Sequence, residues 1–429
     1  MGFEFPVIRL GDHVEKIGSG ATPRGGSNVY QNTGIALIRS QNVYNNVFSY
    51  GGLAFIGAEH AQQLQSVEVK EGDVLLNITG DSVARVCQVP ADVLPARVNQ
   101  HVAIIRTRKE CLDPRFLLYY LTSPQMQNYM LALAAAGGTR NALTKGMIEN
   151  FYVPAPAIQE QRAIAHILGT LDDKIELNRR MNATLEAIAR AIFKSWFVDF
   201  DPVHAKARGE QPYGMDAATA ALFPDSFEDS ELGPIPAGWG IGTLGDIAVN
   251  LRRGIKPEDM NSNTLYIGLE HMPQKSIALD NWGSASDVAS NKFLFRKGEF
   301  LFGKLRPYFH KVGVAPEDGV CSTDILVIVP TFEAWYGQTL FHISSKDFID
   351  YTTAASTGTR MPRTNWDTMS KHAVIIPDRS IAELFSCFLR PMLDTIQNNV
   401  WQSRTLATLR NALLPKLISG EISAREVQR

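Results

Sequence analysis

The sequence predicts an α+β fold: two similar mixed α/β domains separated by two long helices that form an antiparallel coiled coil, with a pseudo-twofold internal repeat. Three observations predict it. Short strings recur in the same order in the two halves of the 429-residue chain. Each half closes on a long helical stretch. In both stretches residues fall into a mostly apolar row at alternating spacings of four and three, the pattern of a coiled-coil seam.

The recurrence runs along the whole chain. Gly11-Asp12, after Ile8-Arg9-Leu10, returns as Gly245-Asp246 after Gly242-Thr243-Leu244. Lys70-Glu71-Gly72-Asp73-Val74-Leu75-Leu76 is answered by Arg296-Lys297-Gly298-Glu299-Phe300-Leu301-Phe302, a turn and then an apolar strand, with Gly72 and Gly298 supplying the positive φ of the turn. Gly138-Thr139-Arg140 returns as Gly358-Thr359-Arg360, and Pro156 and Thr184-Leu185 match Pro377 and Thr405-Leu406 at an offset of 221. A period this long is no solenoid. It reads as two copies of a domain-plus-helix unit, which suits a bipartite target.

In chain order, residues 1–155 form the first domain, with strands at Ile35–Ile38, Val74–Ile78 and Val102–Ile105 and a helix over Pro114–Met130 that starts after Asp113. Residues 156–200 carry the first long helix, from Ile158 to about Phe197, with no proline and the single Gly169. Its seam is Ile164, Leu168, Leu171, Ile175, Asn178, Asn182, Leu185, Ala189, Ile192 and Trp196. A proline- and glycine-rich linker over 201–233 is expected to be irregular or a short helical return. Residues 234–377 repeat the first plan, with strands at Thr264–Gly268, Glu299–Phe302 and Ile325–Val329 and a helix near Lys346–Thr353. Residues 378–429 carry the second long helix, with Phe385, Leu389, Met392, Ile396, Asn399, Ser403, Leu406, Arg410, Leu413 and Leu417 at the same phase. Arg410 fits that seam badly, and Pro391 is expected to kink the helix. Two stripes of matching phase bury themselves most economically against each other, with Asn178 and Asn399 setting register.

Composition narrows the class. The chain is 45% hydrophobic, enough for proper cores, and no apolar run approaches the roughly 18 residues that span a bilayer. Met1 to Leu10 shows no secretory pattern, so a cytoplasmic location is expected. Cys87, Cys111, Cys321 and Cys387 are far apart and have no metal-like spacing. The net charge of −2 hides its distribution: +1 over 1–155, −5 over 156–233, 0 over 234–377 and +2 over 378–429. Charge therefore leaves nucleic-acid binding open. No phosphate loop, no Asn-Pro-Pro or Asp-Pro-Pro followed by an aromatic residue, no HExxH and no GxSxG is present, so catalytic residues and a resident metal or cofactor are not expected.

Several strings together resemble the specificity subunit of type I restriction–modification systems. Pro154-Ala155-Pro156-Ala157-Ile158-Gln159-Glu160-Gln161-Arg162-Ala163-Ile164-Ala165, continuing through Leu168, Leu171-Asp172 and Ile175, is similar to that family's central conserved helix. Leu413-Leu414-Pro415-Lys416-Leu417-Ile418-Ser419-Gly420-Glu421-Ile422 resembles its C-terminal conserved end. Pro234 to Trp239, Leu305-Arg306-Pro307-Tyr308 with Lys311, and Cys321-Ser322-Thr323-Asp324 are further family-like strings. The second helix departs by having Ser380-Ile381-Ala382-Glu383 where the first has Ile158-Gln159-Glu160-Gln161. The resemblance implies a non-catalytic subunit whose two target-recognition domains each read half of a split, asymmetric site on double-stranded DNA. The helices would set the spacer and dock two modification subunits. Those partners would bring S-adenosylmethionine, and restriction subunits would bring ATP and Mg.

The residues suited to DNA sit in loops. In the first domain they are Thr22, Arg24, Arg39, Gln41, Asn42, Thr79, Arg140 and Lys145. In the second they are Arg252, Arg253, Lys256, Lys304, Arg306, Tyr308, Arg360 and Arg363. Arg, Gln and Asn suit bidentate contacts to bases or phosphates, whereas Gly, Ser and Asn also simply make turns. Alternation of Lys304, Arg306 and Tyr308 on a strand would point all three the same way. Two other readings stay open, a pseudo-symmetric scaffold for protein or glycan partners and a self-contained DNA-modifying enzyme.

Overall fold

The computed structural model describes residues 5–136, 141–358 and 360–427. It divides into two compact units, one made of the described residues up to 175 with those from 405 onward, the other of 176–404.

In the first unit the strands are β1 (Val14–Ser19), β2 (Ile35–Ile38), β3 (Ala54–Ile56), β4 (Glu68–Val69), β5 (Val74–Asn77), β6 (Val86–Gln88), β7 (Ala96–Val98) and β8 (Val102–Thr107). One antiparallel sheet has the order β1-β8-β5-β6, and the other has the order β3-β2-β7-β4 with β2 and β7 parallel. β5 and β8 are almost wholly buried, and their side chains alternate between two cores. The helix expected over Pro114–Met130 is two, α1 (Pro114–Thr122) and α2 (Pro124–Ala135). Asp113 caps the first, accepting from the Arg115 and Phe116 amides at 3.0 Å. Ser123 takes extended backbone, which a residue before proline favours, and so ends one helix and caps the next.

The second unit repeats the plan. Its strands are β9 (Ala248–Leu251), β10 (Gly254–Ile255), β11 (Leu265–Ile267), β12 (Gly283–Ser284), β13 (Lys292–Phe295), β14 (Phe300–Gly303), β15 (Val312–Val314), β16 (Gly319–Cys321) and β17 (Ile325–Pro330). The order β9-β17-β14-β15 reproduces β1-β8-β5-β6, and β12-β11-β16-β13 reproduces β3-β2-β7-β4, down to the parallel pair β11–β16; β10 is added at the edge. Over residues 201–233 the second of the two expectations, a short helical return, is the one found. Short helices α4 and α5 form over Asp201–Ala207 and Ala217–Leu222, and Phe200, Val203 and Phe223 enter the same core as Trp196, Phe197 and Trp239.

The long helices are α3 (Ile158–Phe197) and α6 (Arg379–Ser419). In each unit a segment of one runs antiparallel to a segment of the other. In the first unit Ile164 and Leu168 pack in one core with Leu414, Leu417 and, half-buried, Leu413. The misfit at Arg410 is resolved there, because its Nη1 meets Asp172 Oδ1 at 2.5 Å, both side chains being mostly buried, and Asp172 also accepts from the Tyr119 hydroxyl at 2.7 Å. Gly169 makes room for the Arg115 guanidinium, which a Cβ there, 2.5 Å away, would displace, and whose Nη2 donates to the Gly169 carbonyl at 3.1 Å.

In the second unit Phe385, Leu389, Leu393 and Ile396 are buried against Ala189, Phe193 and Trp196, with Leu185 and Ile192 half-buried at the edge. Leu393 lies deeper than the expected Met392 at that one turn, while Phe385, Leu389 and Ile396 keep the expected phase. Asn178 Nδ2 donates to Gln402 Oε1 at 2.9 Å and Ser403 Oγ at 3.2 Å, and Asn399 Nδ2 donates to Asn182 Oδ1 at 2.8 Å. Polar groups buried in this way favour the one register that pairs them. Leu171, Ile175 and Leu406 are half-buried. Pro391 does not interrupt α6. Losing one main-chain bond is offset by Phe385, Leu389 and Leu393 burying on both sides of it.

Candidate nucleic-acid interface

The repeat extends from strands to loops. After β5, Ile78 N donates to His101 O at 3.0 Å, Gly80 N to Asn141 O at 3.2 Å, and Leu143 N to Ile78 O at 2.9 Å. After β14, Lys304 N donates to Asp324 O at 3.0 Å, Arg306 N to Pro362 O at 2.7 Å, and Thr364 N to Lys304 O at 3.1 Å. The turns before β8 and β17 match as well. The His101 amide donates to Asn99 Oδ1 at 3.1 Å, and the Asp324 amide to Ser322 Oγ at 3.2 Å. His101 and Asp324 therefore hold equivalent positions, as do Thr79 and Leu305. In each domain the same two loops are laced together at the end of the same strand.

In the first domain Thr79 Oγ1 lies 2.6 Å from His101 Nδ1. Both line an open groove of about 430 Å³ with Gln41, Tyr44, Asp81 and Arg85. Gln41 is exposed and donates to Gly52 O at 3.1 Å. Arg39 Nη2 donates to the same carbonyl at 2.5 Å, and its guanidinium lies 5.3 Å from the Tyr30 ring centre. Asn42 is fully buried, accepting from Arg39 N at 3.0 Å and donating to Ser49 O at 2.9 Å, so it braces the loop and faces no ligand. Thr22 bonds Gln100. Arg24 is exposed, and its guanidinium bonds no described residue. Lys145 opens a short helix, 3.6 Å from Glu149. Arg140 lies outside the described residues.

In the second domain the structure brings Lys304, Arg306, Tyr308, Arg360 and Arg363 together. Leu305 and Thr357 both bridge to Arg363 through their backbones, and Arg306 Nη2 reaches Arg360 O at 3.4 Å. Arg363 Nη2 lies 3.4 Å from Asp324 Oδ1, and Tyr308 is 49% exposed with its ring 4.8 Å from that of Phe309. The expected strand alternation is not how they meet. The strand ends at Gly303, Arg306 takes left-handed backbone at φ +51°, and Pro307–Phe309 is a helical turn, because proline cannot extend the ladder. A non-glycine residue held at positive φ stores strain of the kind that gathers at binding sites.

Arg253 stands apart from this cluster. It pairs with Glu299, which precedes β14, whereas Lys304 follows it. Its counterpart in the first domain is the ion pair of Arg106 with Asp73 at 2.7 Å, which raises the arginine's pKa, and in both domains the acid also caps the turn glycine's loop through the Lys70 or Arg296 amide. Arg253 is thus a brace of the repeated turn. Gly72 and Gly298, at φ +88° and +82°, serve that turn. Arg252 is exposed, and Lys256 lies 3.6 Å from Glu258 at the surface.

Three groove residues, Tyr44, Arg85 and His101, escaped the sequence reading. Aligning Asn99-Gln100-His101 before β8 with Ser322-Thr323-Asp324 before β17 would have found His101. A lone arginine and a lone tyrosine carried no signal.

Two duplicated α/β domains with laced polar loops, joined to paired helices, define a class of two-headed recognition proteins. Residues 4–187 match the model of the type I restriction modification DNA specificity domain. The chain's relatives, too, are specificity subunits of type I restriction–modification systems. The chain is 25% identical over 445 residues to the type I restriction enzyme HindI specificity subunit of Haemophilus influenzae, covering 92% of this chain and 95% of that one. It is 24% identical to the MjaIX specificity subunit of Methanocaldococcus jannaschii, covering 72% and 69%. The fold is that of the S subunit from M. genitalium, with a TM-score of 0.57 over 96% of both chains at 13% identity. The family is one of recognition, not catalysis. Among the described residues no helix is long and apolar enough to cross a membrane, and no group of acidic, His and Cys side chains is arranged to hold a metal.

Proposed function

We propose that each domain reads one half of a bipartite, asymmetric site on double-stranded DNA through the loops laced at the end of β5 or β14. The paired helices set the unread gap and dock two modification subunits. S-adenosylmethionine is then bound by those partners, and ATP with Mg by restriction subunits, with no cofactor on this chain. The observation that carries the reading is the duplication of the loop pair. The same backbone lacing presents different side chains in the two domains, as two heads with different half-sites require. Lys304, Arg306, Arg360 and Arg363 supply positive charge for phosphates, and Tyr308 a ring for stacking.

The test is selection of bound duplexes from a random pool, using the chain co-purified with its modification subunit at stated salt. Two short defined blocks around an unread gap are expected. Salt-sensitive binding without a motif would leave the scaffold reading in its place. Removing one heptad from both helices is expected to shorten the gap or abolish binding.

A further inference from the structure

The groove in the first domain has a composition that a phosphate site would not. Arg85 is half-buried, and its guanidinium, 4.7 Å from the centre of the Tyr44 ring, donates to no described residue. Stacking holds it in place, so little rotamer freedom remains to be lost on binding. Beside it in the same groove lies the exposed carboxylate of Asp81, and no ion pair joins the two. A carboxylate that no described cation pairs repels a phosphate. It is, however, the acceptor suited to the amino group of cytosine, as a planar arginine fork is suited to O6 and N7 of guanine.

The walls are stiff enough to hold this pair in register. Asn77 Nδ2 donates to Ser40 O at 2.9 Å, tying the end of β5 to the loop after β2. Val86 N donates to Asn45 Oδ1 at 3.0 Å, tying β6 to the strand that carries Tyr44. Gly80 and Ala84, at φ +75° and +69°, turn the chain on either side of Asp81, and both Asp81 and Arg85 line the groove. The equivalent loop of the second domain carries Arg306 and Tyr308, and the acid beside it, Asp324, is already paired with Arg363.

We propose that this groove reads a G·C base pair within the first domain's half-site, Arg85 donating to guanine and Asp81 accepting from the cytosine amino group. The proposal rests on the two-head reading above. It is tested by the same selection, run with wild-type chain, Arg85→Lys, Arg85→Ala and Asp81→Asn, each co-purified with the modification subunit. The wild-type motif is expected to hold a G·C position in one block. Arg85→Lys keeps the charge but loses the fork, and is expected to cut discrimination there by roughly 5- to 150-fold while the other block stays sharp. Asp81→Asn, a change at an exposed side chain, is expected to blur the same position. If Arg85→Lys keeps the position and Arg85→Ala weakens all duplexes alike, lowering the salt slope by about 1, Arg85 holds a phosphate and the proposal fails. A wild-type selection with no split motif fails the two-head reading first, and this one with it.

Discussion

The loop after β5 and the loop after β14 are tied down by the same three main-chain bonds, yet they present different chemistry. One offers a Thr79–His101 pair and Arg85, which donates to no described residue; the other offers Lys304, Arg306 and Tyr308 around an Asp324 already matched by Arg363. Backbone bonds carry the stability of the loop, so its outward side chains are free to differ without unfolding the strand end beneath them. The brace under each loop is the reverse case. Asp73–Arg106 and Glu299–Arg253 do the same job with the acid after the turn glycine in both, while the arginine comes from a strand in one domain and from a loop in the other.

The largest expected effect follows from that separation. Replacing residues 234–377 by those of a related specificity subunit is expected to exchange one whole block of the selected DNA motif and leave the other intact. Changes in both blocks would break the comparison. Next comes Asp73→Ala, which leaves Arg106 facing an emptied site. The carboxylate is 1% exposed and accepts from both Arg106 and the Lys70 amide, so a loss of about 3 to 5 kcal/mol is expected. Glu299→Ala is expected to cost less, because its pair is more open at 13% and 29% exposure. Hydrogen exchange of the β5 and β14 amides separates the two, and equal losses would show that burial does not set the difference.

Acid is expected to distinguish the units more gently. His342 Nε2 lies 3.1 Å from His372 Nδ1 in the second unit, and burial pushes the pKa of His342 down to about 3 and that of His372 down as well. The unfolded chain binds protons below about pH 6.5 while these folded imidazoles resist them. Stability from this pair is therefore whole above pH 6.5 and is lost as pH falls toward the folded values, by roughly 1.4 kcal/mol per pH unit for His342. Urea midpoints of the second unit at pH 7 and pH 5, followed by exchange at β14, check this; a flat response would refute it. The smallest effect is expected at Lys256→Ala, whose ion pair with Glu258 is about two-thirds exposed on both sides. Stability should move by less than about 0.5 kcal/mol. A salt slope lower by about 1 with the motif unchanged would make Lys256 a phosphate contact.

Much of the fold could be read from the chain, and the reasons are local. Ile35–Ile38 is β-branched and apolar between turn residues, and it is β2 as expected. α3 runs from Ile158 to Phe197 because nothing in that stretch breaks a helix, and its one glycine makes room for Arg115. The family-like Gln161 has a plain structural task. Its amide donates to Cys111 O at 3.0 Å and Pro156 O at 2.8 Å, fastening the helix start to the domain. The candidate loops were legible only in part. Residue type cannot separate Asn42, which props its own loop, from Gln41, which lines the groove one residue earlier.

By itself, then, the sequence determined the duplication, the apolar seams and the two heads, since each depends on periodicity or on strings that recur at a near-constant offset. Tertiary structure alone decided which polar side chains are spent. Arg253 and Arg306 are alike in the chain, but one is neutralised by Glu299 and the other is held at positive φ beside Arg360. Arg410 spoils a heptad until Asp172 meets it from the other helix. The physical reason is the same in each case. A charge is costly or useful according to the partner brought against it, and those partners come from residues far away in sequence.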